Sequence, residues 1–220
     1  MRRFAIAAAA AVAALVGALN LSAAGEPPKI SAPLSPEAAA KQGLEVATFA
    51  AGCFWCVEAD FDKVAGVVST MPGYTGGRTK SPTYWSVATE ATGHVEAVQV
   101  TFDPKKISYK DLLQHYWHGV DPVDGSGQFC DRGSSYRPAI FTYGAEQQKA
   151  AEASKTALEQ SKRLSRPIKV EIVPASEFTP AEVEHRKYYQ THPYKYRVYR
   201  LGCGRDARLK AVWGDEAASH

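Results

Sequence analysis

Short strand-period runs alternate with helix-period segments, and this order most restricts the folds open to the chain. Val46-Ala47-Thr48-Phe49-Ala50 is apolar, short and bounded by Gly52. Cys56 to Phe61 fits a helix, with Val57 and Phe61 four apart on one face. Residues 64–71 read as a second strand, with Pro72-Gly73 as its stop. Val95 to Phe102 alternates between two faces and breaks at Asp103-Pro104. Ser108 caps an amphipathic helix whose Leu112, Leu113, Tyr116 and Trp117 form the buried stripe. Residues 138–143 read as a strand, 145–164 as a long helix and 168–173 as another strand. Thr179-Pro180-Ala181-Glu182 has the pattern of a helix start. The leading elements run βαββαβ, the split order of ferredoxin-like folds. The expected fold is α+β: a two-layer ferredoxin-like α/β sandwich with a mixed sheet and an irregular C-terminal extension.

The ends of the chain differ from this middle. Arg2-Arg3 is followed by an uninterrupted Ala-rich apolar run from Phe4 to Leu19, then by Ser22-Ala23-Ala24. Residues 1–24 read as a secretory signal peptide cleaved after Ala23 or Ala24. The alternative is an uncleaved membrane anchor, for which the run is short and weakly hydrophobic. The arginine pair is a weak twin-arginine signal. Residues 25–43 carry Pro27, Pro28, Pro33 and Pro36 and read as a mobile linker, with a brief helical turn opened by Ser35 and Pro36. Residues 44–214 remain as one domain and 215–220 as a tail. Export implies a periplasmic or secreted location, where disulfides persist. A net charge of +3, with no Lys/Arg run, argues against nucleic acid as partner.

All four cysteines lie beyond the leader. Cys53-x-x-Cys56 falls where the first strand hands over to a helix, which puts Cys53 in a first helical turn. Unpaired N–H groups and the helix dipole there favour a thiolate. The spacing also admits a structural disulfide or half a zinc site. No second Cys or His pair completes a zinc pattern. His115-x-x-His118 has helical spacing, but Tyr116 and Trp117 beside it suit a packed helix end, so no metal is expected. Phe54 and Trp55 suit either the core or the wall of an apolar pocket. The glycine-rich loop at 73–83, which ends at Tyr84, fails phosphate-loop spacing. The long loop at 119–137 carries Cys130, Asp131, Ser134 and Tyr136, and loops of that length are often functional. Glu96 lies just inside a strand.

Gly52-Cys53-Phe54-Trp55 is followed in order by Gly73-Tyr74, Pro82-Thr83-Tyr84, Thr92-Gly93-His94-Val95-Glu96-Ala97 and Asp131-Arg132-Gly133-Ser134-Ser135-Tyr136-Arg137. This series resembles the A-class peptide methionine sulfoxide reductases over about residues 45–195. The resemblance implies that Cys53 attacks the sulfoxide sulfur and that Glu96, kept protonated by partial burial, is the general acid. It implies that Tyr84 and Tyr136 hold the sulfoxide oxygen, that Phe54 and Trp55 surround the substrate methyl group, and that Asp131 orients the site. The substrate is then methionine S-sulfoxide, free or in oxidised exported proteins. The product path runs through a sulfenic acid on Cys53 to an intramolecular disulfide. An external thioredoxin-like thiol reductant recycles it, with no bound cofactor, in a monomer.

The chain departs from that pattern in three places. Cys56 stands where many relatives have Gly. The stretch from Lys195 to Trp213 is basic rather than glycine-rich and holds only Cys203. Cys130 replaces a frequent Asn beside Asp131. Proximity makes Cys56 the expected resolving cysteine, with Cys203 as competitor. The even count in an exported chain leaves Cys130–Cys203 as a second disulfide. Two other functions stay open: a thioredoxin-type thiol–disulfide oxidoreductase, which needs neither Glu96 nor the tyrosines, and a binding module with two structural disulfides.

Overall fold

The computed structural model describes residues 32–218. The leader and most of the linker lie outside them. Among the described residues no helix is long and apolar enough to cross a membrane. In chain order the elements are α1 (Pro36–Ala40), β1 (Glu45–Ala50), α2 (Phe54–Phe61), β2 (Val67–Thr75), α3 (Tyr84–Ala88), β3 (Val95–Phe102), α4 (Tyr109–His118), β4 (Gly127–Gln128), β5 (Asp131–Arg132), β6 (Ala139–Thr142), α5 (Gly144–Gln160), β7 (Glu171–Pro174), β8 (Thr179–Pro180), α6 (Tyr188–Thr191), α7 (Pro193–Cys203) and α8 (Arg205–Trp213).

The main sheet runs β7-β6-β1-β3-β2-β8. Its centre, β6-β1-β3-β2, is antiparallel throughout, as the βαββαβ order requires. β7 lies parallel to β6, and a parallel neighbour needs a crossover, which α5 supplies. The sheet is therefore mixed. One face carries Phe49, Val98, Val100 and Phe102 against Val57 and Phe61 of α2 and Leu112, Leu113 and Tyr116 of α4. Phe49 is fully buried and stacks on Phe61, with ring centroids 4.9 Å apart. Phe49→Ala is expected to cost about 3–5 kcal/mol. Strand alternation puts Glu96 on this same helix-covered face, two residues before Val98.

Four expectations are corrected. First, β2 does not stop at Pro72-Gly73 but continues to Thr75. The Pro72 carbonyl accepts from Ala181 on the β8 side. The nitrogen of Pro72 faces that same side, so its missing N–H removes no bond to β3. Second, Thr179-Pro180 forms β8 against Gly73 and Tyr74 rather than starting a helix. Glu182, the acid expected to cap that helix, instead accepts from the Tyr74 hydroxyl and the Tyr84 N–H.

Third, the linker is docked from Leu34 onward. The Gln99 side chain pairs with the Leu34 N–H and carbonyl, and Ala39 and Leu44 are buried against Val46. Ser35 does cap α1, accepting from the Ala38 N–H. Fourth, the C-terminal extension is helical, as α7 and α8. Its inward positions include Arg200 and Arg205, both buried, so hydrophobic periodicity could not reveal it.

Candidate active site

A tight turn launches α2 from β1. Gly52 has φ +81°, and a Cβ there would lie 2.6 Å from Cβ of Gln128. Only glycine lets the backbone turn so close to the β4–β5 hairpin. The Ala50 carbonyl accepts from the Tyr116 hydroxyl at 3.0 Å, and the Ala51 carbonyl from Arg205 at 2.9 Å. Cys53 is thereby fixed as the N-cap residue of α2, although its thiol makes no capping bond. Cys56 sits one turn on. Both are buried and free, with side chains hydrogen-bonded to each other.

The expected thiolate on Cys53 is not what the surroundings favour. Burial, then the neighbouring Cys56, Glu96 and Asp131, push its pKa well above that of an ordinary thiol. The helix terminus is outweighed by a dehydrated pocket that also holds carboxyl groups. Cys56 moves the other way. The hydrogen bond from Cys53 lowers its pKa, and Arg205 and Arg200 assist against the effect of burial. Those arginines reach in from α7 and α8, and both pair with Asp60, at 2.8 and 3.6 Å. Within the thiol pair the surroundings therefore favour negative charge on Cys56 over Cys53.

Glu96 is 4% exposed and accepts the Phe54 N–H at 2.9 Å. Burial, only partly offset by that bond, raises its pKa to about 8. Its carboxyl is protonated at neutral pH. Tyr84 opens α3, which Thr83 and Ser86 close with a reciprocal capping box. Tyr136 ends a 3-10 turn at Ser134–Tyr136. Its hydroxyl pairs with that of Tyr84. Asp131 accepts the Cys53 backbone N–H, and burial raises its pKa.

One cavity of about 60 Å³ gathers Cys53, Phe54, Trp55, Tyr84, Glu96, Asp131 and Tyr136. That is about the space of two water molecules, enough for a methyl and one dipolar group. Wider hollows, such as that of about 290 Å³ beside Leu34 and Tyr143, are lined by no cysteine. Cys203 is joined to Cys130 in a disulfide, and the two sulfurs lie 3.8 and 3.9 Å from the Asp131 carboxylate. His115 packs on Phe61 and His118 on Trp213, so the two histidines have different neighbours.

Sequence reasoning missed several residues. Tyr199 of α7 lines the cavity and donates to both oxygens of Asp131, at 2.8 and 2.7 Å. His185 stacks on Tyr84, with centroids 4.5 Å apart, and its Nδ1 accepts from the Trp55 indole at 3.3 Å. Tyr188 stacks on Trp55 at 3.9 Å. Glu182 holds the start of α3 through the Tyr84 N–H. The unusual density of tyrosine between 188 and 199 was the available signal.

A buried thiol pair facing a neutral carboxyl and two hydroxyls is equipment for a thiol-dependent oxidoreductase acting on a small polar group. Comparison with known proteins narrows that class. The family described as peptide methionine sulfoxide reductase matches residues 45–217. The chain is 54% identical over 171 residues to peptide methionine sulfoxide reductase MsrA 2 of Caulobacter vibrioides, covering 77% of this chain and 86% of that protein. It is 49% identical over 170 residues to peptide methionine sulfoxide reductase MsrA of Bacillus licheniformis, covering 77% and 94%. The solved structure of methionine sulfoxide reductase A of Corynebacterium diphtheriae matches with a TM-score of 0.64 at 32% identity, covering 76% of this chain and 82% of that one. The chain belongs to the peptide methionine sulfoxide reductase family, and the resemblance read from its motifs is borne out.

Proposed function

We propose that this chain reduces methionine S-sulfoxide, free or in proteins, through Cys53, and that Cys56 resolves the product. The observation that carries this reading is a carboxyl kept protonated by burial in the same small cavity as Cys53. The Cys53 sulfur attacks the sulfoxide sulfur, and its own proton passes to Cys56. Glu96 protonates the sulfoxide oxygen, while the hydroxyls of Tyr84 and Tyr136 bind that oxygen as charge develops. Phe54 and Trp55 enclose the methyl group, and Asp131 fixes the Cys53 backbone.

The oxygen is transferred to Cys53, leaving methionine and a sulfenic acid. Cys56 then attacks the Cys53 sulfur and expels water. Two electrons have left the thiol pair, which ends as a Cys53–Cys56 disulfide. Cys56 is preferred over Cys203 because its side chain already bonds to Cys53, whereas Cys203 is tied to Cys130. An external dithiol of thioredoxin type returns the disulfide to thiols and leaves Glu96 reprotonated.

The leader-like N-terminus adds a location: export, with oxidised exported proteins as substrates. Cell fractionation tests it, and a cytoplasmic protein retaining residue 1 would remove it. The activity is tested with separate epimers of methionine sulfoxide and dithiothreitol. Turnover of the S epimer alone, lost in Cys53→Ser, is expected. Reduction of insulin disulfides without sulfoxide turnover would favour the thioredoxin-type alternative instead.

A further inference from the structure

The disulfide does not close a remote loop. Cys130 is the residue immediately before Asp131 in the β4–β5 hairpin, and Cys203 lies one helical turn after Tyr199 on α7. These two segments are 73 residues apart in sequence. They meet over the nucleophile, where Asp131 accepts the Cys53 N–H and both its oxygens accept from Tyr199. Tyr199 lines the same cavity as Cys53, and its ring meets the edge of Trp55 at 5.7 Å. The Cys130 N–H itself points at the Cys203 sulfur, at 3.1 Å. The base of the hairpin is anchored by buried Gln128, which pairs with Asp121 and Asp124, and by the Arg132–Asp124 ion pair, but its two-residue ladder is too short to fix the Asp131 side chain by strand pairing alone.

We propose that the Cys130–Cys203 disulfide is a positioning device for sulfoxide reduction, setting Asp131 and Tyr199 against Cys53. This rests on the reading of Cys53 as nucleophile. Without the link, the hairpin stays docked through Gln128 and Arg132, but its tip at Cys130–Asp131 is tied to α7 by the Tyr199 hydroxyl, a contact then made only part of the time, and Cys53 loses its fixed backbone. A misplacement of about 1 Å at a reacting group lowers a rate by up to about 100-fold.

The test is a single-turnover cycle with a methionine S-sulfoxide peptide, comparing wild type, Cys130→Ser/Cys203→Ser, Asp131→Asn and the triple variant. Cys53 and Cys56 begin as thiols, and peptide mass mapping verifies that the link is closed in wild type and Asp131→Asn. The double serine variant is expected to lose about tenfold in rate constant, with KM changed less than twofold. The triple variant is expected to be no slower than the slower parent, because both changes remove the same arrangement. Peptide mapping of Cys53 alkylation against pH gives a second readout. Its midpoint should fall when the link is removed, because the Asp131 charge is no longer held beside the sulfur. Tyr199→Phe, with the disulfide intact, should reproduce the rate loss and serves if the double variant does not fold. Penalties that multiply independently, or an unchanged alkylation midpoint, overturn the positioning role. An Asp131→Asn variant as fast as wild type overturns it together with the role given to Asp131. Absence of turnover by wild type overturns the underlying reading instead.

Discussion

The two cysteine pairs are chemically identical and have opposite fates. Cys53 and Cys56 lie three residues apart, buried in the first turn of α2, and remain thiols. Cys130 and Cys203 lie at the rim on separate segments and are joined. What differs is the company. The inner pair has a neutral carboxyl on one side and guanidinium groups on the other, so its two sulfurs are polarised against each other. The outer pair has no such asymmetry and instead bridges two pieces of backbone. An electrostatic gradient equips one pair for turnover, and a covalent span equips the other for holding shape.

The sharpest way to break this contrast is to remove the inner sulfurs one at a time. Cys53→Ser should abolish sulfoxide reduction entirely. Cys56→Ser should still form about one equivalent of methionine per protein, then stop with a sulfenic acid on Cys53 that dimedone traps. Its steady-state rate with a thioredoxin-like reductant should fall by more than tenfold. Normal cycling in Cys56→Ser, with a Cys53–Cys203 linkage in the peptide map, would dissolve the division of labour between the pairs.

Glu96→Gln comes next, with an expected loss of about 10²- to 10³-fold in the single-turnover rate constant. Wild type should also show an alkaline limb near pH 8, because the proton needed by the leaving oxygen is lost as pH rises through the raised pKa. The limb should vanish in Glu96→Gln. A limb that persists would assign that titration to another group.

The motifs around Cys53, Tyr84, Glu96 and Tyr136 were legible because they are local. Each is a short run at an element boundary, and the βαββαβ order brings those boundaries to one end of the sheet. The thiolate assigned to Cys53 was misplaced because burial and two carboxyl neighbours come from distant segments. Tyr199, His185 and Glu182 escaped for a related reason. They come from a stretch whose inward side is mostly half-buried tyrosine, histidine and glutamate, with buried Arg200. Apolar periodicity, the main guide to helices, has little to detect there. Arg200 and Arg205 resemble surface residues in the sequence and become buried only because Asp60 and backbone carbonyls receive them.

The outer pair is tested by stability rather than rate. Linking residues 73 apart removes chain entropy from the unfolded state, by roughly 4 kcal/mol in the loop-closure model. Denaturant unfolding of Cys130→Ser/Cys203→Ser should show a loss of about 2–4 kcal/mol, since engineered and natural links deliver less than the ideal. A change below ~0.5 kcal/mol would mean that the rim link adds little to the fold.

The last effect sharpens the contrast from the other side, because the inner site should weaken the fold that the outer link strengthens. The Glu96 pKa rises from its ordinary 4.5 to about 8 on folding, first through burial. Between those values the folded protein holds a proton that the unfolded chain has released. Stability from this group is therefore complete below about pH 4.5 and declines as pH rises towards 8, where a charge must be buried. Glu58, raised by burial to about 7, slopes in the same direction and is common to wild type and variant. Glu96→Gln removes only the Glu96 contribution, and its amide oxygen can still accept the Phe54 N–H. The variant should match wild type near pH 4.5 and exceed it at pH 8.5 by a few kcal/mol, up to about 4.6 if the whole shift is expressed, measured by urea unfolding at both pH values. Equal stabilities at pH 8.5 would mean that Glu96 ionises at its ordinary pKa, and the acid role would lose the buried proton on which it depends.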